Sequence, residues 1–321
     1  MATKDMEASL EGSRRRTEDE RVVLIAGPTA SGKSALALSL ARKLDGVIIN
    51  ADSMQLYEDL RVVSARPSTE EETEVPHRLY GVLSATTAFS TGDWLRLATQ
   101  EIEAVRTGGR TPILVGGTGL YFKGLTEGFA EMPAIPDDVR RKARDFADEG
   151  GVEALRACLL ELGDREAASG LNDPQRLTRA LEVIMATGKP LSDWQREAQS
   201  APLLPDAECR RYVLAPPRPW LHQRIEQRAR LMLSQEGCEE VRALLAKGLS
   251  GKLPAMRAIG VAEIGAYLGG ECDYQEAIHR LTVATRQYAK RQETWFRNQM
   301  PDWQRIDPSN GISPGDLDKQ H

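Results

Sequence analysis

RVVLIAGPTASGKSALALSLARKL, residues 21–44, carries an apolar run, a glycine-rich loop and a helical segment in succession. Its first six residues, Arg21 to Ala26, form a short, nearly continuous apolar run, as expected of a parallel strand buried on both faces. Gly27-Pro28-Thr29-Ala30-Ser31-Gly32-Lys33-Ser34 then fits G-x-x-x-x-G-K-[ST], and ALALSLARKL after it has good helix formers with apolar residues at helical spacing and basic residues at its end. A strand before and a helix after are the context that gives this pattern meaning. The loop's backbone N–H groups can wrap phosphate oxygens at a helix N-terminus, Lys33 adds a point charge, and the Ser34 hydroxyl is placed for Mg²⁺. All eight residues are therefore candidate phosphate ligands, although the motif alone does not specify ATP.

Working outward, Val47 to Asn50 reads as a second strand closing on Ala51-Asp52-Ser53-Met54-Gln55, and Thr111 to Val115 as a third closing on Gly116-Gly117-Thr118-Gly119. Strands alternating with helical segments predict an α/β fold with a P-loop NTPase-like parallel sheet, whose ligands lie at the carboxyl ends of the strands. From 136 to 208 the texture turns to Ala, Leu, Arg and Glu without a convincing strand, which predicts an inserted all-helical domain. Arg211 to Ala215 reads as a return strand, and helices fill most of 218–300. The expected organisation is a flexible tail at 1–20, the first part of the core at 21–135, the insertion at 136–208, the rest of the core with basic helices at 209–305, and a loose tail at 306–321.

The whole chain of 321 residues is 41% hydrophobic and 28% charged, ordinary for a globular protein with a real core. Its formal net charge of −5 confines any polyanion site to a local patch. The four cysteines, Cys158, Cys209, Cys238 and Cys272, are scattered, so no zinc site or disulfide framework is suggested, and a reducing cytoplasm is the expected setting. No apolar run is long enough to span a membrane. Arg14-Arg15-Arg16 is read as part of a solvated tail, with nucleic-acid contact as the alternative.

Asp52, just past the second strand, is read either as a general base reaching the phosphate site from the side or as a helix cap. Thr118 is a site residue or part of a tight turn. The third strand lacks the terminal Asp with which nucleotide-driven machines usually hold Mg²⁺, which favours a transferase whose phosphates belong to the reacting substrate. In 172–179, Asp173 caps a helix with Pro174 in its first turn, and Gln175, Arg176 and Arg179 share a face that is either solvated or holds a phosphodiester backbone. In 277–298, Ile278, Leu281, Ala284 or Thr285, Tyr288 and Trp295 are candidate buried positions, while Arg280, Arg286, Lys290, Arg291 and Arg297 form the most basic strip of the chain.

Together, GPTASGKS (27–34), NADSMQLY (50–57), GGTGLYFKGL (116–125), NDPQRLTRALEV (172–183), MRAIGV (256–261) and RQYAKRQETWFRN (286–298) resemble the tRNA dimethylallyltransferase family over about residues 20–305. The resemblance implies transfer of the dimethylallyl group from dimethylallyl diphosphate to N6 of adenosine 37, beside the anticodon, in tRNAs reading codons that start with U. A related activity on a free nucleotide, as in adenylate isopentenyltransferases, is the alternative. The implied partners are dimethylallyl diphosphate and the tRNA anticodon stem-loop, with Mg²⁺ as cofactor, and a monomer is expected. Lys33, Asp52 and Thr118 are the implied catalytic residues, and Arg140 joins the P-loop in holding the donor. Against the tRNA the resemblance places Asp52, Ser53, Met54, Gln55, Thr118 and Arg140, then Gln175, Arg176, Leu177, Thr178 and Arg179, then Arg257, Arg286, Lys290 and Arg291. Where many family members carry an aromatic residue and an arginine, this chain has Val261 and Ala262.

Overall fold

The computed structural model describes residues 21–129, 135–197 and 201–311. In chain order the first half of the sheet unit contains β1 (Val22–Ala26), α1 (Lys33–Lys43), β2 (Gly46–Asn50), α2 (Thr69–Glu74), β3 (His77–Arg78), α3 (Thr91–Thr107), β4 (Thr111–Gly116) and α4 (Gly119–Glu127). Helices α5 (Asp137–Glu161), α6 (Arg165–Gly170), α7 (Pro174–Thr187) and α8 (Leu191–Glu197) follow as a separate body. The chain then returns through β5 (Cys209–Leu214), α9 (Arg218–Met232), α10 (Gln235–Ala246), α11 (Val261–Leu268), α12 (Tyr274–Gln299) and β6 (Gln304–Ile306).

The six strands form one parallel sheet in the order β3-β2-β4-β1-β5-β6. Because β4 lies between β1 and β2, the ends of β1, β4 and β2 stand side by side, and the loops that leave them converge on one edge. Every residue of β1, β2 and β4 is buried, which explains the uninterrupted apolar runs: a strand covered on both faces has no solvent side on which to place polar residues. On one face Val23, Ile25, Ile48, Ile113, Val115 and Tyr212 pack with Leu36, Ala37, Leu40 and Ala41 of α1. Helices α9 to α12 build a second core around Met232, Val241, Leu244, Val261, Ile264, Ile278 and Leu281, to which Tyr57, Leu60 and Val63 also belong. Val261 therefore serves packing in this chain.

Among the described residues the helical body begins at Glu127 and ends at Pro202, and the sheet unit takes 21–126 and 203–311, so the expected boundaries of 136 and 208 need correction. Residues 203–208 settle with the sheet: Leu204 is buried and its N–H donates to the Leu125 carbonyl at 2.9 Å. The helical body has its own core, in which Leu155, Leu159, Leu177, Ala180, Leu181 and Ile184 meet. Asp173 caps α7 as its sequence suggests, accepting from the Arg176 N–H at 3.0 Å. The expected loose tail from 306 also needs correction. β6 pairs with β5 in the register Tyr212↔Gln304 to Leu214↔Ile306, Trp303 packs edge-on to Phe122, and Asp307 caps a short turn at Pro308–Asn310. An edge strand needs backbone pairing more than apolar side chains, so its polar composition concealed it. Residues 1–20 and 312–321, the remaining expected tails, lie outside the described residues.

Candidate active site

The loop after β1 turns through two left-handed residues, Ala30 (φ 62°) and Gly32 (φ 88°), before α1 begins at Lys33. Only glycine adopts such a φ without cost, and no side chain caps α1, so the N–H groups of its first turn are left for an anion. Lys33 donates to the Pro28 carbonyl at 3.4 Å. Burial holds its ammonium down at about 8, with Asp52 opposing the shift and Arg228 adding to it. Ser34 is exposed on the first turn of α1.

Helix α9 forms the wall beside this loop. Trp220 lies against Gly32, Arg224 donates to the Ala30 carbonyl at 2.9 Å while stacking over the Trp220 ring, and Arg228 follows one turn later. One Arg228 Nη donates to the Val63 carbonyl at 3.2 Å, while its buried Nε has no hydrogen-bond partner. Burial lowers its pKa and the Asp52 carboxylate opposes that. Two cations with incompletely used donors therefore stand beside a helix N-terminus, an arrangement suited to a polyanionic ligand.

Asp52 sits across from them. The buried Asn50 side chain holds its peptide from both ends, accepting from the Asp52 N–H at 2.8 Å and donating to its carbonyl at 2.9 Å. One carboxylate oxygen accepts from the Met54 N–H at 3.0 Å in a local turn, while Ser53 occupies the N-cap position of the short helix that follows, so Asp52 is not its N-cap. The other points toward Gly117. Tyr80, Tyr121 and Tyr288 all feel this carboxylate: burial first, then Asp52, pushes each phenol well above its ordinary pKa, so all three stay protonated. Thr118 Oγ1 accepts from the Ser53 N–H at 3.0 Å and donates to Ser53 Oγ at 3.3 Å, joining the ends of β4 and β2. Beside them opens a cavity of about 260 Å³ lined by Ser53, Met54, Leu56, Tyr57, Phe89, Thr91, Thr118, Tyr121 and Pro254. Its back wall is stiff, because Tyr121 stacks on Trp94 at 4.1 Å and the Trp94 indole donates to the Asn50 carbonyl.

Two residues expected to meet RNA face inward instead. Gln55 is buried and donates to the Ser64 and Ala65 carbonyls at 3.0 and 2.7 Å, so it ties down a loop. Leu177 is fully buried in the core of the helical body, because it shares one helix face, at i+3, i+4 and i+7, with the buried Ala180, Leu181 and Ile184. Gln175 and Arg176 are exposed, Thr178 donates to the Pro174 carbonyl, and Arg179 pairs with the buried Glu182 at 3.1 Å. Arg140 lies on the first turn of α5 in the helical body, 3.8 Å from Asp137. In the sheet unit, Arg257 ends a short turn at Ala255–Arg257, and Arg286, Lys290 and Arg291 line the exposed side of α12, Arg291 over the Tyr288 ring. The buried stripe of α12 is Ile278, Leu281, Thr285, Ala289, Gln292 and Phe296, so Tyr288 and Trp295 fall at its margin and an amide lies within it. Among the described residues no helix is long and apolar enough to cross a membrane.

Residues 55–299 match the family model described as IPP transferase. The chain belongs to the IPP transferase family. Over 291 residues it is 51% identical to a tRNA dimethylallyltransferase of Rhizobium etli, covering 89% of this chain and 97% of that relative. A full-length tRNA isopentenylpyrophosphate transferase from Bacillus halodurans shares the fold with a TM-score of 0.65 at 32% identity, over 93% of each chain. A eukaryotic dimethylallyltransferase solved acting on tRNA superposes with a TM-score of 0.74 at 26% identity, over 90% of this chain and 74% of that one.

Within this family member the residues that pattern reading overlooked are Asn50, Trp220, Arg224, Arg228 and Gln292. The three on α9 recur every fourth residue, a spacing that marks one helix face. That periodicity was visible, but nothing local says the face meets a phosphate loop some 190 positions earlier in the chain.

Proposed function

We propose that this chain, a tRNA dimethylallyltransferase by family, moves the dimethylallyl group of dimethylallyl diphosphate to N6 of adenosine 37 beside the anticodon. The reading rests above all on one observation: the Asp52 carboxylate stands between a cationic phosphate cradle, Lys33 with Arg228, and a small cavity bounded by Thr118 and aromatic rings. Leaving group and nucleophile thus have separate compartments with a proton acceptor at their junction.

In the reaction the bond from the donor's C1 to the diphosphate oxygen breaks, the oxygen keeps the electron pair, and a C–N6 bond forms. Loop N–H groups, Lys33 and Arg228 stabilise the charge that grows on the departing diphosphate. The Asp52 oxygen that faces the Gly117 turn accepts the proton that N6 gives up. Thr118 and Ser53, already bonded to each other, hold the base-side wall. An adenine stacked in an anticodon loop cannot reach this edge of the sheet, so the base is extruded into the site. Exposed Arg286, Lys290 and Arg291 of the sheet unit suit an RNA backbone, and so, on the helical body by itself, do Gln175 and Arg176.

Mg²⁺ fits the oxygen chemistry of the cradle. Among the described residues no three His, Cys, Asp or Glu side chains group as a protein cage, and the exposed Ser34 hydroxyl instead suits an ion that keeps waters and takes phosphate oxygens. Ser34 would hold the ion, which would supply further charge neutralisation for the diphosphate.

The test is incubation with dimethylallyl diphosphate, Mg²⁺ and unmodified tRNA, followed by mass analysis of the nucleosides. A prenylated adenosine beside the anticodon of tRNAs reading U-initial codons is expected. Efficient prenylation of AMP with tRNA left untouched would overturn the reading.

A further inference from the structure

Gln292 is a polar side chain within the buried stripe of α12, near its C-terminal end, and both ends of its amide are used. Its Oε1 accepts from the Thr29 N–H at 2.8 Å, and its Nε2 donates to the Gly117 carbonyl at 2.9 Å. Thr29 belongs to the phosphate loop after β1. Gly117 belongs to the turn after β4 that carries Thr118. The ladder between these strands stops at Ala26↔Gly116, and beyond it the Gln292 amide bridges the two loops, satisfying a buried donor on one and a buried acceptor on the other. The fit is close: a Cβ on Gly117 would lie 2.3 Å from Nε2 and 3.1 Å from Asp52 Oδ2.

We infer that Gln292 is a positioning residue that fixes the distance between the diphosphate loop and the base-side groups Asp52 and Thr118 without touching either substrate. This rests on the prenyl-transfer reading above. A displacement needs nucleophile, carbon and leaving group in line, and a misplacement of about 1 Å can cost on the order of 100-fold in rate. The Gln292 amide spans the junction where that spacing is set. Because the Thr29 N–H is committed to it, the phosphate ligands are the N–H groups farther along the loop, which places the leaving group against Lys33 and away from the strand end.

The experiment compares wild-type protein with Gln292→Leu, which keeps the shape and loses both hydrogen bonds, and Gln292→Glu, which keeps the acceptor for Thr29 and regains the donor to Gly117 only when protonated. Single-turnover transfer at saturating donor and tRNA is measured from pH 5 to 8, with binding of inorganic pyrophosphate and of tRNA and the thermal midpoint measured alongside. The expected result for Gln292→Leu is a loss of transfer on the order of 100-fold with each binding constant within about threefold of wild type. For Gln292→Glu, the deficit relative to wild type at the same pH should shrink as pH falls, while that of Gln292→Leu stays constant. Folded Gln292→Leu protein with an unchanged single-turnover rate, or a Gln292→Glu deficit that does not vary with pH, would overturn the inference. If Gln292→Leu does not fold, the pH profile of Gln292→Glu decides alone. Failure of wild-type protein to prenylate tRNA would instead overturn the reading on which the inference rests.

Discussion

The depressed ammonium of Lys33 makes donor capture pH-dependent between about pH 7 and 9. Burial brings the group from its ordinary 10.5 down to about 8 in the ligand-free protein, with Asp52 restraining the shift. The charged form binds diphosphate. For a pKa of about 8 the protonated fraction is roughly 0.9 at pH 7 and roughly 0.1 at pH 9, so kcat/KM for the donor, which reports the free enzyme, should fall about tenfold between them. Bound diphosphate restores the charge, so kcat at saturating donor should fall much less. Binding of inorganic pyrophosphate at pH 8 should accordingly take up about half a proton, measurable by titration calorimetry in buffers of different ionisation enthalpy. The stability sign follows from the same shift. Between about 8 and 10.5 the unfolded chain holds more protons than the folded one, so the ligand-free protein gains stability as pH rises through that window. A donor kcat/KM that is flat from pH 7 to 9, together with no proton uptake at pH 8, would refute the reasoning. In Lys33→Ala the tenfold limb should vanish along with most donor affinity, while tRNA affinity changes little.

Asp52→Asn keeps the oxygen that accepts from the Met54 N–H, so the variant should fold and bind tRNA normally while single-turnover transfer drops by about 10²–10⁴-fold; an active variant would remove the base assignment. Arg228→Ala should raise the donor KM by about 10-fold or more, as expected for losing a charged hydrogen-bond donor to phosphate, with little change in tRNA binding by filter assay. Neutralising Arg286, Lys290 and Arg291 together should weaken tRNA binding and lower the slope of log K against log salt by about 2. Unchanged slope would place the RNA elsewhere.

The architecture was legible wherever a local pattern reflects a local cause. Arg21 to Ser34 announces strand, loop and helix because a doubly covered strand must be apolar and a phosphate loop must tolerate left-handed φ at Gly32. Asp173-Pro174 marks a helix start for similarly local reasons. Asp52 and Thr118 could be nominated because each follows a strand, and strand ends are where a parallel sheet places its ligands. Gln55 and Leu177 face inward for tertiary reasons that a motif does not state: Gln55 lies in a mostly buried turn where its amide ties down a loop, and Leu177 rotates into the core of the helical body.

Tertiary structure alone decided which distant groups complete the cradle. Arg228 reaches Asp52 and Lys33 only because β5 inserts beside β1 and delivers α9 to that edge, and Gln292 reaches Thr29 across 263 positions of sequence. The chain's own pattern determines which residue types lie on a helix face, since that follows from backbone periodicity. Which face meets the phosphate loop depends on sheet order and helix packing, and these are set by the burial of the whole apolar surface, a sum over the chain that no short stretch of it contains.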